Sequence, residues 1–224
     1  MPNATRLWPK KVALASNESG RRTSQIIVDL SLLRNSKPWY KAIMMDWRPR
    51  LAREDDIPAL EALIPISTRK LQAPHYSPAQ MEAALGPVFG VDRQLIHDGT
   101  YFVVECDGQI VGCGGWSKRH SLFGGDRERS GDDALLDPEC DSARIRAFFV
   151  HPEWARRGIG RSILAACESA IQAAGFHSAE LVATLAGELF YAAFDYSADK
   201  RYEIPMSADL TLPVVRMTKH FGIV

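Results

Sequence analysis

Neither sign of charge predominates in this sequence of 224 residues: Lys+Arg and Asp+Glu both number 27. A protein that works by coating nucleic acid needs a basic stripe, so nucleic acid is not an expected partner. No apolar run approaches the roughly 20 residues that cross a bilayer as a helix, and no membrane partner is expected. Lys10-Lys11 followed by Val12–Ala15 has the order of a signal peptide, but its apolar core is too short. Cysteine is also scarce. Cys106, Cys113, Cys140 and Cys167 form no Cys-x-x-Cys pair and have no histidine at zinc-finger spacing. That argues against a disulfide framework and leaves no expected metal site. Reduced, packed cysteines fit a cytoplasmic protein, and that location is the expectation.

What is present is ordinary globular material, with 46% apolar, 24% charged and 9% aromatic side chains. The chain is long enough for a sizeable buried core. Its charge balance, however, is the sum of two unlike parts. Residues 1–44 hold eight basic side chains (Arg6, Lys10, Lys11, Arg21, Arg22, Arg34, Lys37, Lys41) against Glu18 and Asp29, a net +6 that leaves −6 for the remainder. The split predicts a basic, poorly ordered N-terminal extension over 1–44 and a separate domain over 45–224.

Within that domain the hydrophobic period changes several times. Trp47–Ala52 reads as a short first strand, after which Asp55 or Asp56 caps a helix through Ile64, with Pro58 in its first turn. Ser77-Pro78-Ala79-Gln80 has capping-box spacing and predicts a helix to about Leu85. Thr100–Cys106 and Gln109–Ser117 are strands joined by Asp107-Gly108, a tight-turn pair. Lys118–Asp141 is long for a hairpin connection. In the strand Ala143–Val150, alternation places Arg144, Arg146 and Phe148 on one face and Ile145, Ala147 and Phe149 on the other. Gly160–Ala174 is a helix with Ile163, Leu164, Cys167 and Ile171 as its buried stripe, stopped by Gly175. A strand (Ser178–Ala183), a short helix (Leu185–Phe194) and two strands (Tyr202–Met206, Leu210–Lys219) close the order. This interleaving is that of a mixed α/β layer fold.

The chemistry concentrates in Phe148-Phe-Val-His-Pro-Glu-Trp-Ala-Arg-Arg-Gly-Ile-Gly-Arg161, which joins a strand to the start of an amphipathic helix. The first N–H groups of a helix are unpaired and its dipole is positive there, so an anion fits. Gly158 and Gly160 let backbone approach that anion, and Arg156, Arg157 and Arg161 add forked donors suited to phosphate. A Walker loop would need Lys-Ser/Thr where Arg161 stands, and a dinucleotide fingerprint would need a third glycine where Ile163 stands.

Val150–Arg161 resembles the acetyl-CoA loop of the GCN5-related N-acetyltransferase (GNAT) family, whose usual form is Arg/Gln-x-x-Gly-x-Gly/Ala. The likeness extends to Trp47–Leu60 as the family's opening strand and helix. It includes Asp107-Gly108 with Val111-Gly112-x-Gly114 as its hairpin, and Phe190-Tyr191 in its late helix. Together these span about 45–220. Ala155 departs from the family's Arg or Gln, Thr184 from a frequent Asn, and Asp195-Tyr196 from Gly-Phe. The resemblance implies a GNAT-like acyl-CoA N-acyltransferase fold, with a central, mixed, mostly antiparallel sheet flanked by helices. It implies acetyl-CoA as co-substrate, an amine acceptor and direct transfer, and it leaves homodimer formation open.

By the same resemblance, the backbone of Phe148, Phe149 and Val150 would pair with the pantetheine arm. Arg156, Arg157, Gly158, Ile159, Gly160 and Arg161 would hold the pyrophosphate, and Tyr191 would protonate the departing thiolate. The general base stays open between Asp141, Glu105 and a water relay. The acidic later half of 118–141 (Asp126, Glu128, Asp132, Asp133, Asp137, Glu139, Asp141) is either a lure for a cationic amine or a solvated loop. His151 belongs to a Val-His-Pro turn, and His75 and Tyr76 are either acceptor-pocket or surface residues. A non-catalytic CoA-binding or interaction module of the same fold is the competing reading.

Overall fold

The structure, a computed structural model, describes residues 47–120 and 134–222. The expected extension over 1–44 and the acidic residues Asp126, Glu128, Asp132 and Asp133 lie outside that part. The described strands form one seven-stranded sheet in the order β1-β2-β3-β4-β5-β7-β6. β1 (Arg50–Leu51) pairs with β2 (Tyr101–Cys106), and β2 with β3 (Gln109–Ser117), through the expected Asp107-Gly108 hairpin. Both turn residues have positive φ, 51° and 79°, as a two-residue hairpin with the right-handed strand twist demands. β4 (Ala143–Val150) runs antiparallel to β3, and its pairing with β5 (Ser178–Thr184) is the sheet's parallel one. β7 (Leu210–His220) and then β6 (Ser197–Ser207) complete the far side.

Helices cover both faces. α1 (Ile57–Leu71) lays Ile57, Leu60, Leu63 and Ile64 on a cluster with Tyr101, Val103 and Cys113. α4 (Ile159–Ala173) covers the opposite face so closely that a Cβ at Gly112 would come within 2.5 Å of Ile159. α2 (Pro78–Ala84) starts at the expected capping box, where Ser77 accepts from Gln80 N and Gln80 accepts from Ser77 N. α5 (Leu185–Ala192) follows β5 and is capped by Thr184, whose hydroxyl accepts from Gly187 N at 3.2 Å. Tyr76 proves to be a buried strut: its hydroxyl donates to Pro213 O (2.7 Å) and accepts from Leu185 N (2.9 Å), so one side chain ties the α1–α2 connection to β7 and α5.

Three local expectations change. α1 continues past Ile64 to Leu71 although Pro65 removes one backbone hydrogen bond, because Ser67 and Thr68 are buried beyond it. A short helix, α3 (Arg93–His97), stands where no element was expected. The alternation of β4 breaks at Ala147, which has φ 55°: the register passes from Gly115↔Arg146 to Cys113↔Phe149, two residues against one. This bulge sends Phe149 into the α1-side cluster and turns Phe148 to the other side, over Gly114. Tyr101, wholly buried on β2, donates its hydroxyl proton to Ala147 O at 3.2 Å and fixes the bulge from across β3.

Candidate active site

β4 and β5 pair only at Ala143↔Ala179, Arg144↔Glu180 and Ile145↔Leu181. Beyond those rungs the strands part, β4 running on to Val150 and β5 to Thr184. The parting exposes the β5-side backbone groups of β4, and backbone N–H and C=O groups need partners. A cavity of about 380 Å³ occupies this space. Ser67, Gln72, Phe89, Asp92 and Arg146 line it on the α1 side; Phe148, Arg156, Gly160, Phe190 and Tyr191 line it on the α4 side. A larger hollow of about 860 Å³ lies between α1 and α2 and shares Phe89 and Gly90 with it. The charged groups of that hollow are paired as Arg69–Glu82 and Arg93–Glu61, and it reaches neither the parted strands nor the glycine loop.

β4 leads through a single 3₁₀ turn (Pro152–Trp154) into α4. His151 is structural here, its Nδ1 accepting from Glu153 N at 3.3 Å. Arg156 and Gly158 both adopt left-handed backbone, φ 63° and 87°, and Gly158 is the N-cap of α4. The first bond within the helix runs from Ser162 N to Gly158 O, so the N–H groups of Ile159, Gly160 and Arg161 precede the helical ladder. At Gly160 a Cβ would press on Phe190 at 3.3 Å and narrow the approach.

The sequence-predicted residues distribute as follows. Gly158, Ile159, Gly160 and Arg161 form the helix start, and Arg156 lines the cavity beside it. The Arg157 guanidinium is turned onto the Trp154 ring, 4.8 Å from its centroid. Phe148 faces the cavity, Phe149 meets Phe89 edge-on, and Val150 N donates to Ser67 Oγ at 3.3 Å. Tyr191 packs between Phe148 and Phe190, with centroids at 6.0 and 5.0 Å. Burial pushes its phenol well above the ordinary tyrosine range. Asp195, at the family's glycine position, has φ 68°, the left-handed conformation aspartate tolerates better than most residues.

Neither sequence-named carboxylate reaches the cavity. Glu105, on β2, pairs with Arg50 of β1 at 3.0 Å, and Asp141 accepts from Asp137 N at 2.8 Å. The carboxylate that lines the cavity is Asp92, which sequence reasoning missed. Its side chain is 2% exposed; Oδ2 lies 2.5 Å from Arg146 Nη2, and Oδ1 accepts from Leu95 N. Its one signal was its place as N-cap of α3, a helix too short to show a period. Among the described residues no three His, Cys, Asp or Glu side chains cluster to hold a metal.

A mostly antiparallel sheet whose one parallel pair parts beside a glycine-capped helix is the acyltransferase arrangement. Residues 97–198 match the family model of the acetyltransferase (GNAT) domain. Over that segment the chain is similar to the GNAT acetyltransferases. The same fold occurs in a GCN5-related N-acetyltransferase of Rhodopseudomonas palustris, at 21% identity and TM-score 0.57 over 80% of this chain and 98% of that one. It occurs in the PaiA N-acetyltransferase of Thermoplasma acidophilum in complex with coenzyme A, at 13% identity and TM-score 0.54 over 79% and 100%. A ribosomal-protein-alanine N-acetyltransferase of Brucella melitensis shares it at 17% identity and TM-score 0.52 over 78% and 99%. No functionally curated protein sequence matches.

Proposed function

We propose that this protein moves an acetyl group from acetyl-CoA to an amine acceptor by direct attack of the amine on the thioester. The observation that carries the reading is the parting of β4 from β5 immediately ahead of the glycine-capped start of α4. The residues fit the co-substrate. The opened edge of Phe148–Val150 suits an extended, amide-bearing pantetheine arm, and the first-turn N–H groups of α4 with Arg156, Arg157 and Arg161 suit a pyrophosphate. Gly160 keeps clear the space that a Cβ would take from Phe190. Bound acetyl-CoA supplies the activated acyl group.

The chain's own residues do the rest. Tyr191, whose phenol is protonated at neutral pH, gives its proton to the sulfur as the C–S bond breaks. An alkylamine is protonated below about pH 10 and must lose a proton for the attack. Asp92, the carboxylate of the cavity, is held by Arg146 and Leu95 N, so the proton is passed to water. Replacing the phenol tests the assignment: Tyr191→Phe should lower kcat roughly 10²–10⁴-fold, the range of general acid catalysis, with little change in acetyl-CoA Kd. Wild-type kcat in that variant would remove Tyr191 from the mechanism. CoA thiol release measured over a panel of amines tests the activity itself. Acetyl-CoA binding without release for any amine would favour the non-catalytic module.

A further inference from the structure

Trp47 stands just ahead of β1, remote in sequence from the glycine loop, yet its indole Nε1 donates to Arg157 O at 2.6 Å across 110 positions. The same ring meets Trp154 edge-on, centroids 5.9 Å apart at 86°, and Arg157 covers the other indole. A Cβ at Gly158 would lie 3.8 Å from Trp47 Cδ1, so the indole is seated directly against the N-cap of α4.

The bonded carbonyl belongs to the peptide unit joining Arg157 to Gly158. That unit is planar and trans, so its C=O and N–H point in opposite directions. With the carbonyl held by Trp47, the Gly158 N–H is turned away from the indole. Glycine accepts positive and negative φ almost equally, so this peptide could otherwise flip cheaply. A flip would replace an N–H with a carbonyl oxygen at a place meant for an anion. On the other side of the loop, Arg156 holds a left-handed conformation that is strained for a non-glycine residue and persists only when its surroundings impose it.

We infer that Trp47 is a positioning residue of the cofactor site. Its indole N–H fixes the Arg157–Gly158 peptide so that the Gly158 N–H joins the donors that receive the diphosphate of acetyl-CoA. The inference rests on the acetyl-CoA reading above and adds to it a residue from outside the segment that matches the family model.

Trp47→Phe keeps the aromatic edge and removes the donor. Calorimetry should show acetyl-CoA Kd raised roughly three- to tenfold, the size of one hydrogen bond. Acetylpantetheine, which lacks the diphosphate, separates positioning from general damage. The ratio of its KM to that of acetyl-CoA should fall by the same factor, because only the diphosphate-bearing donor loses affinity. The rise in melting temperature produced by acetyl-CoA should shrink as well, a reading that holds even if the variant is less stable. An unchanged Kd, or a KM ratio equal to wild type with both donors weakened alike, would overturn the inference while the cofactor reading stands. Wild-type protein that fails to bind acetyl-CoA would overturn the cofactor reading itself, and the role of Trp47 with it.

Discussion

Asp92 and Arg146 sit at the throat of the cavity with side chains only 2% exposed, and each neutralises the other where water is excluded. Ions buried this deeply lose several kcal/mol of hydration apiece, so removing one partner is far worse than removing both. Asp92→Ala deprives the guanidinium of its counter-charge and should cost about 3–5 kcal/mol in a denaturant titration. The double replacement Asp92→Leu with Arg146→Met should recover a large part of that loss; a double variant as unstable as the single one would mean that packing, not charge, sets the cost. The four thiols show the opposite use of burial. Cys113 is pushed up to about 12 by its apolar surroundings, and Cys106 and Cys167 are also buried, which leaves Cys140 as the exposed one.

At the scale of elements, β3 is shaped by what it lets pass. Gly112 lies beneath the first turn of α4, where a Cβ would stand 2.5 Å from Ile159 and 3.4 Å from Ile163. Gly112→Ala should therefore overpack this contact and cost roughly 1–3 kcal/mol, read as a lowered Tm. Because Ile159 is the first residue of α4, the same change should weaken acetyl-CoA binding. The elements legible in the sequence were those specified locally: the Asp107-Gly108 hairpin, the Ser77 capping box and the glycines that start α4. Others answered to tertiary contacts. α1 outlasts Pro65 because the sheet buries Ser67 and Thr68, and the β4 bulge is held by Tyr101 from another strand. A bulge leaves no mark in an alternating pattern until the partner strand is known, and for that reason Phe148 and Phe149 exchanged faces. The glycine loop and Tyr191 were readable as candidates from local motifs. Asp92 and Trp47 were not, since each matters through a partner far along the chain.

For the molecule as a whole, acid is the condition that exposes its electrostatic supports. Hydrogen bonds from Arg50 hold the Asp56 carboxyl below the usual range against the opposing effect of burial. At Asp98 burial again opposes ionisation, but the hydrogen bonds from Arg119 and Gln94 together outweigh it, and this carboxyl too is lowered. Carboxyls lowered in the folded state contribute stability that is present above their unfolded pKa of about 4 and is lost as pH falls through the folded value. Unfolding free energy should thus decline between about pH 5 and 2, and Asp98→Asn should flatten part of that decline. An acid profile identical in the variant would show that Asp98 contributes none of it.

The parting of β4 and β5 also bears on how the protein avoids its own kind. Unpaired strand backbone is ordinarily a template for another chain, and exposed edges invite aggregation. Here the free backbone lies in the interior of the sheet, bounded by strands on both sides. Among the described strands the outer ones are guarded by other means: β1 is two residues long, and β6 carries Asp199, Lys200, Arg201, Glu203 and Pro205. The fold thereby keeps a vacant place in its hydrogen-bonding pattern that a slender, amide-bearing small molecule can enter and a second polypeptide strand is poorly placed to reach.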